Sequence, residues 1–361
     1  MRTLSVMPFD THASPIVRQD ARRHRVVRGV AGALLVTCLW VAGALAVPDP
    51  STPAPPAARP QSEQTVDALS VVKLRSKAVS DARSNRTLGS VREGTGVVID
   101  ADGLVLTIGY LILEAETVEL VTASGSSFPA AVVGYDSASG FGLVKSLQPL
   151  PVKPIPFGSS STVAVRDPVL IVGFDGVAPA YVVSRRQFAA YWEYLLDEAI
   201  YTAPVTVNWS GAALLSREGK LVGIGSLSVN DAVGPNSQVP GNLFVPIDLL
   251  NPLLRDLVTR GKSSAPPRPW LGVRTQEVQG NVIVAQVSPD SPAEAAMRPG
   301  DVIVAVGGEV IKGLADFYAR LWSRGKAGVE IPLEVLRDGR IQKITVKSID
   351  RETYYRSRRT Y

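Results

Sequence analysis

Imidazole is the side chain that most readily moves protons near neutral pH, and this 361-residue chain carries only two, His12 and His24. Both precede the apolar run at residues 29–47, so everything beyond that run is free of histidine. Acid–base chemistry in the rest of the chain falls to carboxylates, amines and phenols, whose ordinary pKa values lie well away from 7. The single cysteine, Cys38, lies inside the run and reads as a small apolar residue there. It leaves no intrachain disulfide and no cysteine-based metal site. No cofactor and no metal is expected.

The chain is long enough for two folded units plus appendages. Its 31 glycines and 27 prolines favour turns over long helices. The formal charge of +5 is concentrated at the ends, in Arg18, Arg22, Arg23, Arg25 and Arg28 and again in Arg351, Arg356, Arg358 and Arg359. A near-neutral middle argues against nucleic acid as a partner, because that binding needs clustered surface cations. The N-terminal cluster fits the positive-inside rule, and the uncharged run after it is about the minimum for a helical membrane crossing. Its Ala44-Leu45-Ala46 end also has a cleavage-site pattern. As a signal anchor or a signal peptide, it exports residues 48–361.

The resulting division is a basic cytoplasmic N-terminus (1–28), a transmembrane helix or signal (29–47) and a Pro-rich linker (48–65). A β-rich domain (66–259), a second linker (260–268), a small α+β domain (269–350) and a basic tail (351–361), expected to be disordered, complete the chain. In the larger domain short apolar stretches alternate with turn signals: 97–99 and 104–108 around Asp102-Gly103, 118–122 and 130–133 around Ser124-Gly125, then 169–172, 213–215, 221–224 and 243–247. This spacing is that of an all-β barrel or sandwich. Helices are predicted over 188–198 and over 248–258, the latter opening on Asp248 as N-cap. The smaller domain reads as strands at 281–287 and 302–306, a helix start at Ser291-Pro292-Ala293-Glu294, an amphipathic helix over 314–322 and a closing hairpin around Asp338-Gly339.

Five strings carry a family likeness: GTGVVIDADGLVLT (94–107), FPAAVVGYD (128–136), GFGLVK (140–145), REGKLVGI (217–224) and LFVPIDLL (243–250). In order and spacing they resemble the HtrA/Deg family of exported trypsin-like serine proteases. The resemblance implies an all-β double barrel with the active site between the barrels, followed by a PDZ domain. It also implies a catalytic triad, and there the chain departs. Tyr110 falls at the histidine position and Gly140 at the aspartate position, while Asp136 is expected to serve a turn. Ser210 falls at the nucleophile. Asn208 and Ser210 take the oxyanion-hole positions, where Asn tolerates the left-handed backbone that the turn needs, and the bulky Trp209 lies between them.

A site without base or orienting acid is expected to be inactive, since loss of a triad member costs up to about a million-fold in turnover. In the second domain, Trp270-Leu271-Gly272-Val273 resembles the PDZ carboxylate-binding loop. Leu271 and Val273, with Leu314, Phe317 and Tyr318, are expected to line an apolar pocket for a ligand's last side chain. The reading is a pseudoprotease of the bacterial inner membrane, single-pass with its folded domains periplasmic or extracellular. Polypeptide C-termini or unfolded segments are its expected ligands. The membrane, a homo-oligomer and an active HtrA/Deg relative are further partners to be considered. The alternatives are an active endopeptidase using Ser210 with an unconventional base, and a structural assembly protein.

Overall fold

The computed structural model describes residues 69–355; the basic N-terminus, the apolar run, the first linker and the end of the tail lie outside the described residues. Among the described residues no helix is long and apolar enough to cross a membrane.

Six strands, β1 (Val71–Ala78), β2 (Val91–Val98), β3 (Leu104–Ile108), β4 (Ala115–Val121), β5 (Ser127–Tyr135) and β6 (Phe141–Ser146), close into a barrel in the order β1-β2-β3-β6-β5-β4. The β2–β3 turn forms where Asp102-Gly103 predicted it: Gly103 has φ of 84° and Asp100 Oδ1 accepts the Leu104 N–H at 2.7 Å. All of β3 is buried, which explains its unbroken apolar run in place of a half-exposed alternation. A short helix, α1 (Asn85–Leu88), lies between β1 and β2.

A second closed barrel, ordered β10-β11-β12-β9-β8-β7, comprises β7 (Pro168–Gly173), β8 (Gly176–Ala190), β9 (Tyr194–Ala203), β10 (Ala213–Leu215), β11 (Leu221–Val229) and β12 (Gly241–Pro246). Here the predicted helix over 188–198 is overturned. Those residues are the facing arms of a long hairpin, with Phe188 opposite Leu196, Ala189 opposite Leu195 and Ala190 opposite Tyr194. The apolar spacing suits either element; Glu193, at φ of 57°, bends the chain into a turn, and cross-strand ring contacts such as Phe188 to Tyr194 (6.4 Å) hold the arms.

Beyond β12 the predicted 248–258 helix also starts late. A single 3-10 turn (Ile247–Leu249) precedes α2 (Leu254–Arg260), and Asp248, instead of capping it, accepts from Ser159 Oγ at 2.7 Å and the Ser161 N–H at 3.1 Å. Pro252 cannot donate within a helix interior, so the regular helix begins after it.

The C-terminal sheet runs β14-β15-β16-β18-β19, formed by Val273–Val278, Asn281–Val287, Val302–Val306, Glu330–Arg337 and Arg340–Lys347, with β17 (Glu309–Val310) beside β16. β13 (Pro269–Trp270) pairs with β20 (Ile349–Asp350). α3 (Leu314–Ser323) buries Leu314, Phe317 and Leu321 as its apolar spacing predicts, with Tyr318 buried beside them, while Trp322, expected on the same face, is only partly buried. The helix start expected at Ser291 is a series of turns, with N–H groups of Glu294, Ala296 and Met297 bonded three or four residues back. The tail, expected to be disordered, begins as α4 (Arg351–Tyr354), which the Asp350 side chain caps. Tyr354 packs on Trp270 with ring centres 4.6 Å apart and donates to the Pro289 carbonyl at 2.8 Å. Apolar contact that depends on the folded partner anchors these basic residues.

Candidate functional site

Ser210 sits in a turn before β10, and Tyr110 in a 3-10 turn (Gly109–Leu111) immediately after β3. The two come from different barrels and meet: Tyr110 Oη lies 2.9 Å from Ser210 Oγ and 3.0 Å from the Ser226 carbonyl. A phenol has one proton, and the carbonyl can only accept, so Tyr110 donates to Ser226 and accepts from Ser210. Burial holds the Tyr110 phenol above its ordinary value, and the bond from Ser210 offsets only part of this. Among the described residues Tyr110 is the one side chain hydrogen-bonded to Ser210 Oγ.

The turns are fixed from below. Arg92, 5% exposed, donates to the carbonyls of Gly89, Tyr110 and Leu113 and to Ser84 Oγ, and so pins the segment that presents Tyr110. The Thr95 N–H of β2 donates to the Ser210 carbonyl at 2.8 Å, docking the serine turn on the first barrel. Sequence reasoning missed Arg92, whose surroundings exist only after folding.

Gly140 lies opposite Tyr110's turn, its carbonyl accepting the Gly109 N–H at 2.7 Å. A Cβ there would come 3.2 Å from Tyr194 Oη, and the φ of 83° suits glycine. Tyr194 thus occupies the space beside Gly140 and donates to the Ser139 carbonyl at 2.6 Å. Asp136 accepts the Ser139 N–H at 2.7 Å, as its turn reading expected. The left-handed turn expected of Asn208 is overturned: Asn208 is absent from the described residues with positive φ, and its N–H is directed to Thr206 Oγ1 at 3.4 Å. An asparagine gains from αL only where local bonds reward it, and here the Thr206 hydroxyl rewards another conformation.

Gly211, at φ of 74°, fits where a Cβ would lie 2.2 Å from the Thr95 carbonyl and 2.7 Å from Thr107 Oγ1. Gly211→Ala is therefore expected to cost about 2–5 kcal/mol from left-handed strain plus overpacking. Denaturant unfolding checks this; an unchanged midpoint would mean the serine turn is not wedged between the barrels.

In the C-terminal domain, Trp270, Leu271, Gly272, Val273, Leu314, Phe317 and Tyr318 are all brought together, but not around an open pocket. Six are at most 5% exposed as core or near-core apolar residues, and the space before them is taken by the β8–β9 tip. Glu193 Oε1 accepts the N–H groups of Gly272 (2.7 Å) and Val273 (3.0 Å), and Oε2 that of Leu271 (3.0 Å). Burial pushes the Glu193 carboxyl up to about 7, with the three N–H donors and Arg351 pulling the other way. The Thr275 N–H donates to the Tyr191 carbonyl at 2.9 Å, and Tyr318 Oη donates to the Ala190 carbonyl at 2.7 Å. Glu193 was invisible in the sequence; the only signal is the local aromatic run Tyr191-Trp192-Glu193-Tyr194 in a chain that is 6% aromatic.

A cavity of about 450 Å³ connects these features, lined among others by Tyr110, Trp192, Tyr194, Trp209, Arg274 and Arg351. Its walls carry aromatic and cationic side chains, among them Tyr110, which is bonded to Ser210.

Comparison with known proteins finds two domain families in the chain. Residues 94–224 match the trypsin-like peptidase domain family and residues 269–348 the PDZ domain family. A probable periplasmic serine endoprotease DegP-like of Pseudomonas fluorescens is 30% identical over 290 residues, 75% of this chain and 59% of the relative. The serine endoprotease DegS of Haemophilus influenzae is 27% identical over 291 residues, covering 76% of this chain and 83% of the relative. The chain thus spans about three fifths of the Pseudomonas protein's length and more of the Haemophilus one. Among solved structures, the HtrA-type protease AlgW with decapeptide is similar at 20% identity and a TM-score of 0.49, over 81% of this chain and 97% of that one.

Proposed function

The chain belongs to the HtrA/Deg family of trypsin-like serine proteases with a PDZ domain, and from that premise we propose that it is a member that binds polypeptide without cutting it. In this reading Tyr110 stands at the base position, Gly140 at the acid position and Ser210 at the nucleophile. The observation that carries it is the Ser210 to Tyr110 to Ser226 hydrogen-bond chain. A serine attacks a peptide carbonyl only as its proton is taken up. Here the acceptor is a neutral phenol that burial makes harder to ionise, already donating to a carbonyl, with no orienting carboxylate at Gly140. Among the described residues no side chain other than Tyr110 is hydrogen-bonded to Ser210 Oγ to take up its proton.

What remains is a protease-shaped cleft and a domain whose loop N–H groups bind a carboxylate. The expected ligands are polypeptide C-termini or unfolded segments met in the cell envelope, as a scaffold or sensor. Names of the relatives as periplasmic or as endoproteases support the compartment and the class of ligand. The basic cluster and apolar run before residue 48 support a membrane tether.

Titrating full-length protein into fluorescein-labelled, unfolded casein tests the reading. Anisotropy is expected to rise to saturation while the casein remains full length on a gel. Absence of binding would overturn the ligand assignment, and Ser210-dependent shortening of the casein would overturn the loss of proteolysis.

A further inference from the structure

The β8–β9 hairpin belongs to the second barrel, yet its tip ends in the C-terminal domain. Three consecutive backbone N–H groups, of Leu271, Gly272 and Val273, converge on one carboxylate, and that carboxylate is the side chain of Glu193, itself 5% exposed. Adjacent backbone continues the imitation of a bound strand: the Thr275 N–H of β14 donates to the Tyr191 carbonyl. Tyr318 of α3 reaches the tip twice, donating to the Ala190 carbonyl and accepting the Glu193 N–H at 3.2 Å. Ala189 and Leu195, one on each arm, pack against the apolar core of the domain. Carboxylate, strand-like bond and apolar anchors are the three elements by which a PDZ domain holds a peptide end.

We propose that the 191–193 tip is a resident ligand of the PDZ domain, with Glu193 standing in for a C-terminal carboxylate, so that a polypeptide C-terminus enters only by displacing it. This deepens the polypeptide-binding reading and rests on it. Because the tip tethers the competitor to its own site, its effective concentration is high and an incoming peptide binds more weakly than it would to an empty groove. The same tip reaches the other site. Tyr194, next in the chain, covers Gly140, and Trp192 stacks on Tyr194 at 6.0 Å between ring centres and 18°. Trp192 and Tyr194 also line the cavity shared with Tyr110 and Trp209. Displacement of Glu193 therefore opens the PDZ groove and repacks the wall beside Ser210 in one movement.

Hydrogen exchange on the full-length protein reads the occupancy directly, and a fluorescein-labelled decapeptide ending in Val with a free carboxylate, with its C-terminal amide as control, reads the competition. In the unaltered protein the N–H groups of 271–273 are expected to be protected; Glu193→Ala should exchange them faster by about tenfold or more. The free-acid peptide should bind Glu193→Ala about tenfold more tightly than the unaltered protein and restore protection, while the amide does neither. Glu193→Gln, which keeps the shape, should lie between and serves if the alanine variant fails to fold. Unchanged exchange at 271–273 in a folded variant would overturn the resident ligand. Faster exchange with no peptide binding would uphold the resident ligand and overturn peptide binding as the domain's function.

Discussion

Fluorophosphonate labelling and casein hydrolysis by the unaltered protein are expected to equal those of Ser210→Ala. A fluorophosphonate reports the nucleophile alone, without demands on the rest of a substrate, so it is the more sensitive measurement. The serine hydroxyl is engaged as donor to Tyr110, and the tyrosine proton is engaged with the Ser226 carbonyl. To accept the serine proton the phenol would first have to lose its own, and burial opposes that. In the proposed assignment, with Tyr110 at the base position and Gly140 at the acid position, two triad members are missing, and removing one alone costs up to about a million-fold.

Tyr110→His supplies an imidazole but not its partner. Without an orienting carboxylate, turnover should stay about 10⁴ below that of a complete triad. Gly140→Asp would have to accept a φ of 83° and crowd Tyr194 Oη at 3.2 Å, and the Asn208 N–H would remain directed at Thr206. Measurable hydrolysis is therefore expected only when base, acid and oxyanion turn are rebuilt together. Ser210-dependent labelling of the unaltered chain, or full activity from Tyr110→His alone, would sink the assignment.

The second large effect concerns the PDZ domain. Asp301, 1% exposed, accepts Arg337 Nε at 2.7 Å, Arg337 Nη2 at 2.6 Å and the Arg298 N–H at 2.9 Å. Arg337 also donates to the Ala296 carbonyl at 2.9 Å. This one pair joins the end of β18 to the start of β16 and to the turn before it. Asp301→Ala leaves a guanidinium and an N–H without their acceptor and is expected to cost about 2–4 kcal/mol, toward the lower part of the range for broken buried pairs because Arg337 can still reach water.

Burial raises the Asp301 carboxyl, but the Arg337 bond, the Arg298 N–H and the two positive charges outweigh it, so the group lies below its ordinary value. A depressed folded-state pKa means the pair's stability is fully present above the unfolded value, about 3.9, and is lost as pH falls through the folded one. The gap between the denaturant midpoints of the unaltered protein and Asp301→Ala should stay constant from pH 7 to about 4 and narrow as pH falls further. Parallel curves with a constant gap throughout would show that the carboxylate's charge is not what matters. Arg337→Lys, which cannot form the two-pronged contact, should lose part of the same stability.

The predictions divide according to what a sequence can encode locally. Alternating apolar stretches with Asp-Gly and Ser-Gly turns placed eight of the twelve barrel strands and missed β1, β6, β8 and β9. The eight were legible because side-chain period and turn chemistry are properties of a few neighbouring residues. The apolar face of the helix around Phe317 was legible for the same reason. Where the local pattern permits two elements, it failed. Residues 188–198 suit a helical stripe or a hairpin, and pairing across the hairpin together with docking on a distant domain selected the hairpin. Asp248 looked like a cap, yet Ser159 and the Ser161 N–H, about ninety positions away, claimed it. Similarly, the basic spacing of the tail said nothing of the Trp270 surface that orders its first turn.

By itself, the sequence determined where imidazole is absent: a count of histidines is complete before any folding, and none lies beyond residue 24. What only the tertiary structure decided is which side chains meet at the proposed sites. Tyr110, Ser210 and Ser226 are brought together from both barrels, and Glu193 reaches a loop 78 to 80 positions further along. Such meetings depend on barrel closure and hairpin reach, and no short-range pattern encodes them.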